Sequence, residues 1–173
     1  MMRQIIEYAL LFLVLVLLQV FLFSSLELSV YLNPLIYIAF IILLPIETAP
    51  VLVLGLGLLM GLTMDVAMGA AGLNTLATLP VAFLRGALLR LTCSKDSVSD
   101  GGVPSMRRLG VLGFTRYVVA AVLLHSIVYF TMESATFDYF HLTLLRTAIS
   151  GVVTIGVVFL TSQLFNSQVT RVL

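Results

Sequence analysis

Charge is the scarcest ingredient of this chain. Only 10% of its 173 residues are Asp, Glu, Lys or Arg, where a soluble domain carries about a quarter. The charges that remain nearly cancel, at net +1, so nothing points to nucleic-acid binding. The single cysteine, Cys93, excludes an internal disulfide and a cysteine metal cluster. It reads as an ordinary small residue at a helix end. Also missing are a Gly-rich phosphate loop leading to Lys-Ser/Thr, an HExxH pair, a GxSxG elbow, and any His or carboxylate cluster at metal spacing. The polar residues do not converge at one depth. The chain therefore reads as non-enzymatic, with no cofactor. It carries no repeat, heptad pattern or low-complexity segment.

What is present is apolar. Hydrophobic residues make up 61% of the chain, and the mean hydropathy is +1.17. A soluble fold of this size leaves much of its surface wet and could not hide so much apolar area. The chain reads as an all-α integral membrane protein, one transmembrane domain with almost nothing outside the bilayer. Residues 9–23 are apolar apart from Gln19, and Ser24, Ser25, Leu26 and Glu27 follow with no small-x-small cleavage site. This stretch reads as a retained first transmembrane helix that doubles as the targeting signal.

A crossing helix needs about 20 residues, and six are expected, at about 5–23, 28–44, 51–64, 73–91, 109–132 and 142–165. Residues 92–108 form the one long polar loop. The second span is ambiguous. Residues 34–44 alone cover only about half a bilayer at 1.5 Å per residue. Reaching back to Leu28 requires a kink at Pro34, and a re-entrant segment is the other option. Asn33 and Pro34 also make a good N-cap and N1 pair. Arg90, Lys95, Arg107, Arg108 and Arg116 cluster around loop 92–108, which the positive-inside rule places in the cytoplasm. With six crossings, both termini are cytoplasmic, Glu47 is inside and Glu27 outside. A re-entrant second segment would put Arg3 outside.

Residues 55–90 are the most informative stretch: two apolar helices joined by a Gly-rich turn. Gly57 and Gly61 form a GxxxG, with Asp65 following at the same spacing, then Gly69 and Gly72. The glycines let a second backbone come close. Asp65 is placed to fix the turn or to accept from Asn74 or Thr75; ligand or proton binding is the sharper reading. Arg85 lies roughly 20 Å deeper, too far to pair with Asp65. It either snorkels to head groups or pairs with Glu7 or Glu47. Glu133 and Arg146 flank the turn between helices five and six and could staple that hairpin. His125, one turn from Ala121 and Tyr129, could relay protons or sit neutral, hydrogen-bonded across helices. Gln19 reads similarly. Partner helices are expected on small-residue faces, Gly57/Gly61 or Ala82/Gly86.

These pieces resemble the MreD family of bacterial rod-shape-determining membrane proteins. The residues that carry the likeness are Leu18-Gln19-Val20-Phe21-Leu22-Phe23, then Asn33-Pro34-Leu35-Ile36-Tyr37, then Leu44-Pro45. Next come Gly61-Leu62-Thr63-Met64-Asp65-Val66, Gly72-Leu73-Asn74 and Phe83-Leu84-Arg85. The run from His125 to Phe130, with Glu133 and Phe137, looks like the branch with a longer cytoplasmic loop. Gly86 stands where family members commonly have proline. The resemblance implies a non-enzymatic subunit of the cell-elongation machinery in the cytoplasmic membrane. Its expected partner is MreC, and through it MreB filaments, the RodA glycosyltransferase and a penicillin-binding transpeptidase. It also implies a six-helix fold similar to the substrate-binding subunits of energy-coupling-factor transporters. From that comes an alternative, a vitamin-like small-molecule-binding subunit.

Overall fold

The computed structural model describes residues 2–23, 33–134 and 140–170, apart from the side chains at 22, 23, 140–144, 146 and 165–170. The described residues are mostly helical and contain no strand. Helix α1 (Met2–Leu17) runs on through a wider π-helical stretch, Leu18–Phe23. A 3-10 turn, Ile36–Ile38, leads into the short α2 (Ala39–Leu43). Then come α3 (Pro50–Met68), α4 (Leu73–Thr92), the small α5 (Lys95–Ser99), α6 (Met106–Ser134) and α7 (Phe140–Thr170). Five of the described helices are long and apolar enough to cross a membrane. This is a multi-pass membrane protein.

The expected second helix is the main correction. Residues 28–32 lie outside the described residues. Asn33, Pro34 and Leu35 are not helical, and the helix starts at Ile36 rather than Pro34. Leu35 stands at the cap with no side-chain bond, so the expected Asn33–Pro34 cap does not form. Residues 35–44 are each at most 2% exposed. The short segment is surrounded by the long helices. Irregular backbone is tolerated at membrane depth where protein buries it and satisfies it.

The segment runs antiparallel to α1. Its start bonds to Gln19 and its end to Tyr8. Ile46 then donates to the carbonyl of Gly102 at 2.9 Å, and Glu47 accepts from the Gly102 amide at 2.6 Å. The start of α1, the loop before α3 and the loop around Gly102 therefore share one end of the bundle, called the inner end below. The α3–α4 turn lies at the opposite, outer end.

Helix α3 continues four residues beyond the expected Met64, to Met68. Its chain reverses through Gly69 (φ 65°) and Gly72 (φ 88°), left-handed positions that glycine occupies without a Cβ clash. Helix α6 bends at Gly110 (φ 72°, ψ 156°), which sets its first turn apart from the long helix beyond. Outside the bundle the surface is oily: Val51, Val66 and Leu91 are each more than 80% exposed. In lipid such a face costs nothing.

Helices α3 and α4 pack tightly, and this overturns one expectation. A Cβ on Gly57 would lie 2.8 Å from the Cβ of Ala82, and one on Gly61 would lie 2.5 Å from the Cα of Thr75. The GxxxG face is therefore filled by α4 and is not open to a partner helix. The Ala82/Gly86 pair is split: Ala82 is buried against α3, while Gly86 is exposed.

Candidate functional site

The polar residues of this chain are organised around the buried segment 33–46. A short, partly irregular segment leaves main-chain donors and acceptors without helical partners. Side chains of the surrounding helices supply them. The Gln19 amide bridges the segment's start, donating to the Pro34 carbonyl at 3.0 Å and accepting from the Ile36 amide at 2.7 Å. On α7, Ser150 Oγ accepts from Asn33 N at 2.9 Å and Thr154 Oγ1 from Leu35 N at 3.1 Å. At the other end, Tyr117 of α6 donates to the Ile42 carbonyl at 3.1 Å and Tyr8 of α1 to the Leu43 carbonyl at 3.2 Å. Arg85 of α4 donates to the Leu44 carbonyl, and to the Pro45 carbonyl at 3.3 Å.

A second network lies toward the outer end. Asp65, in the last turn of α3, receives four hydrogen bonds. Its Oδ1 accepts from the main-chain amide (2.9 Å) and side-chain amide (3.0 Å) of Asn74. Its Oδ2 accepts from the main-chain amide (3.1 Å) and hydroxyl (2.5 Å) of Thr75. Asn74 and Thr75 belong to the first turn of α4, whose cap residue Gly72 has no side chain to offer. The carboxylate thus caps a neighbouring helix, where free amides and the helix dipole favour negative charge. Gly61 makes this possible, because one turn before Asp65 it lets the α3 backbone meet Thr75.

The network continues inward. Tyr37 OH lies 3.0 Å from Asn74 Oδ1 and 3.0 Å from His125 Nε2. Asn74 Oδ1 can only accept, so the single phenolic proton points to it. His125 Nε2 must then carry a proton and donate to the Tyr37 oxygen. The neutral tautomer with hydrogen on Nε2 satisfies every bond, and the buried Nδ1 has no hydrogen-bond partner among the described residues. The His125 ring meets Tyr37 edge-on, with centroids 5.2 Å apart. Every donor in the chain His125–Tyr37–Asn74–Asp65 points toward the carboxylate. The Asn74 amide interrupts any run of exchangeable O–H groups. This is the wiring of a fixed structural element.

The structure links four of the polar residues, His125, Tyr37, Asn74 and Asp65, in one chain, while Arg85 stays toward the opposite end of the bundle. Tyr37 is the residue that sequence reasoning missed. It stands in an apolar run, residues 35–44. A lone hydroxyl in a fully apolar segment was the available signal.

Arg85 also differs from expectation. Glu7 is taken by Arg3, at 2.9 Å, and Glu47 by the Gly102 amide, at 2.6 Å. Arg85 makes no ion pair among the described residues and does not snorkel: it is 3% exposed, and its buried Nε finds no acceptor. It lines a cleft of about 590 Å³ at the inner end, between the start of α3 and the end of α4. The expected Glu133–Arg146 pair lies outside the described residues, because the Arg146 side chain does. Among the described residues no His, Cys, Asp or Glu group could hold a metal ion.

No family model matches the chain, and no curated protein or solved structure is significantly similar to it.

Proposed function

We propose that this chain is a non-enzymatic subunit of the bacterial cell-elongation machinery in the cytoplasmic membrane. In this reading it binds an MreC-like bitopic protein and helps couple MreB filaments to peptidoglycan synthesis by RodA and its transpeptidase partner. Loop 92–108 and both termini face the cytoplasm, because Arg90, Lys95, Arg107 and Arg108 gather at the inner end. One observation supports the reading above others. Gln19, Tyr37, Asp65, Asn74 and Arg85, among the residues on which the family resemblance rests, bond to one another or to the backbone of the central segment. Such polar residues maintain a rigid scaffold and leave the outer faces for partners.

The alternative, a vitamin-like ligand-binding subunit, needs free volume among the helices. Among the described residues, 35–44 are buried between the long helices. Affinity purification of the tagged full chain from membranes tests the proposal. A MreC-like protein with one transmembrane helix and a large periplasmic part should co-purify. Recovery of a transport ATPase pair in its place would overturn the assignment.

A further inference from the structure

Among the described residues the Arg85 guanidinium is a buried charge with no carboxylate at ion-pair distance. Arginine keeps its proton at any physiological pH, and a buried charge is ordinarily paired. Among the described residues its partners are neutral: it donates to the Leu44 and Pro45 carbonyls, the Tyr117 hydroxyl lies beside it, and the Nε–H finds no acceptor. The carbonyls orient the fork and leave the charge uncompensated.

The same side chain forms part of the cleft wall at the inner end. Arg90, one turn and a residue further on, lines it too, and Glu47 stands on the opposite side with its carboxylate on the Gly102 amide. Among the titratable groups lining the cleft the two arginines outnumber the one carboxylate. The rest of the wall is largely apolar, including Val53, Ala82 and Phe83. Phe83 is 71% exposed on the oily outer face. The cleft therefore joins a cationic recess to the lipid-facing surface, close to the helix ends where head groups lie.

We propose that this cleft binds the phosphate head group of an anionic phospholipid of the inner leaflet. Arg85 supplies the buried charge, and Arg90 closes over the phosphate from the rim. Arginine's planar fork suits phosphate oxygens. The apolar wall takes the glycerol and the first acyl carbons.

The test uses the purified full chain in detergent, with thermal unfolding followed while short-chain phosphatidylglycerol, phosphatidylcholine or inorganic phosphate is added. Binding to the folded state alone raises the melting temperature. Arg85→Gln is a poor probe by itself, since it also removes the bonds to Leu44 and Pro45. Two other variants leave those bonds in place. A Cβ on Gly86 would meet only the Arg90 guanidinium, at 3.9 Å, so Gly86→Phe should fold and fill the cleft. Arg90→Gln removes an exposed charge. Phosphatidylglycerol should stabilise the parent chain at lower concentration than phosphatidylcholine does. Arg90→Gln should need about tenfold more lipid for the same shift, and Gly86→Phe should show no shift. Equal stabilisation of the parent chain and Gly86→Phe would overturn the site. Inorganic phosphate acting as well as phosphatidylglycerol would overturn the lipid as its occupant.

Discussion

Asp65 accepts from two main-chain amides and two side chains. All four donors are held by the first turn of α4, and hydrogen bonds to a charged acceptor are the stronger kind. In Asp65→Asn an amide N–H₂ must face donors on one side, leaving two of them unmet. The expected loss is about 2 kcal/mol, read as a lower melting temperature in detergent. Tyr37→Phe is the companion experiment. It removes the acceptor of His125 Nε2–H and the donor to Asn74 Oδ1 together, so two buried polar atoms lose their partners. A loss of about 2 kcal/mol is expected there too. His125→Gln keeps a donor for Tyr37 and should cost less than half as much. If His125→Gln proved the more damaging of the two, the tautomer and direction of bonding assigned here would be wrong.

At the level of elements, the α3–α4 hairpin depends on closeness. Gly61 has no room for a methyl group, with the Thr75 Cα only 2.5 Å from where its Cβ would sit. Gly61→Ala forces the helices apart and lengthens every Asp65 bond one turn away. A destabilisation of about 2–3 kcal/mol is expected, the range of overpacked cores. Gly55, two residues before Gly57 on the same helix, has nothing within 4 Å. Gly55→Ala should be neutral or stabilising by up to about 1 kcal/mol, since alanine loses less backbone entropy in a helix. The pair, compared by unfolding in a denaturing detergent, separates a contact glycine from a passive one. The sequence placed the hairpin, its turn and its capping carboxylate correctly, because all three depend on neighbours within about ten residues. It placed a second backbone close to the glycines without fixing whose, and the structure shows α4 of the same chain there. A GxxxG motif marks close approach, and nothing in it says whether the approaching helix belongs to the same chain.

For the whole molecule, the notable feature is a short segment at the centre of long helices. Residues 36–44 cannot open without moving α1, α4, α6 and α7, all of which bond to the segment or its flanks. Its amides should exchange with solvent deuterium more slowly than those of α5, by several orders of magnitude. That would be unusual for a stretch with only three 3-10 and five α-helical residues. Fast exchange at Ile41 and Ile42 would show that the segment swings out of the bundle.

The sequence by itself determined the membrane class, the long helices, the polar loop and the Asp65 turn. Bilayer thickness and local chemistry dictate these directly: 20 apolar residues must span, and glycines with a nearby carboxylate must turn. Only the tertiary structure decided that residues 35–44 lie in the interior, that Gly57 and Gly61 face α4, that Tyr37 joins His125 to Asn74, and that Arg85 is buried with no carboxylate at ion-pair distance among the described residues. The physical reason is common to all four. In a soluble protein, hydropathy separates the inner from the outer face of a helix. In a bilayer both faces meet apolar surroundings, so the pattern that reveals a span does not reveal which side of it points inward.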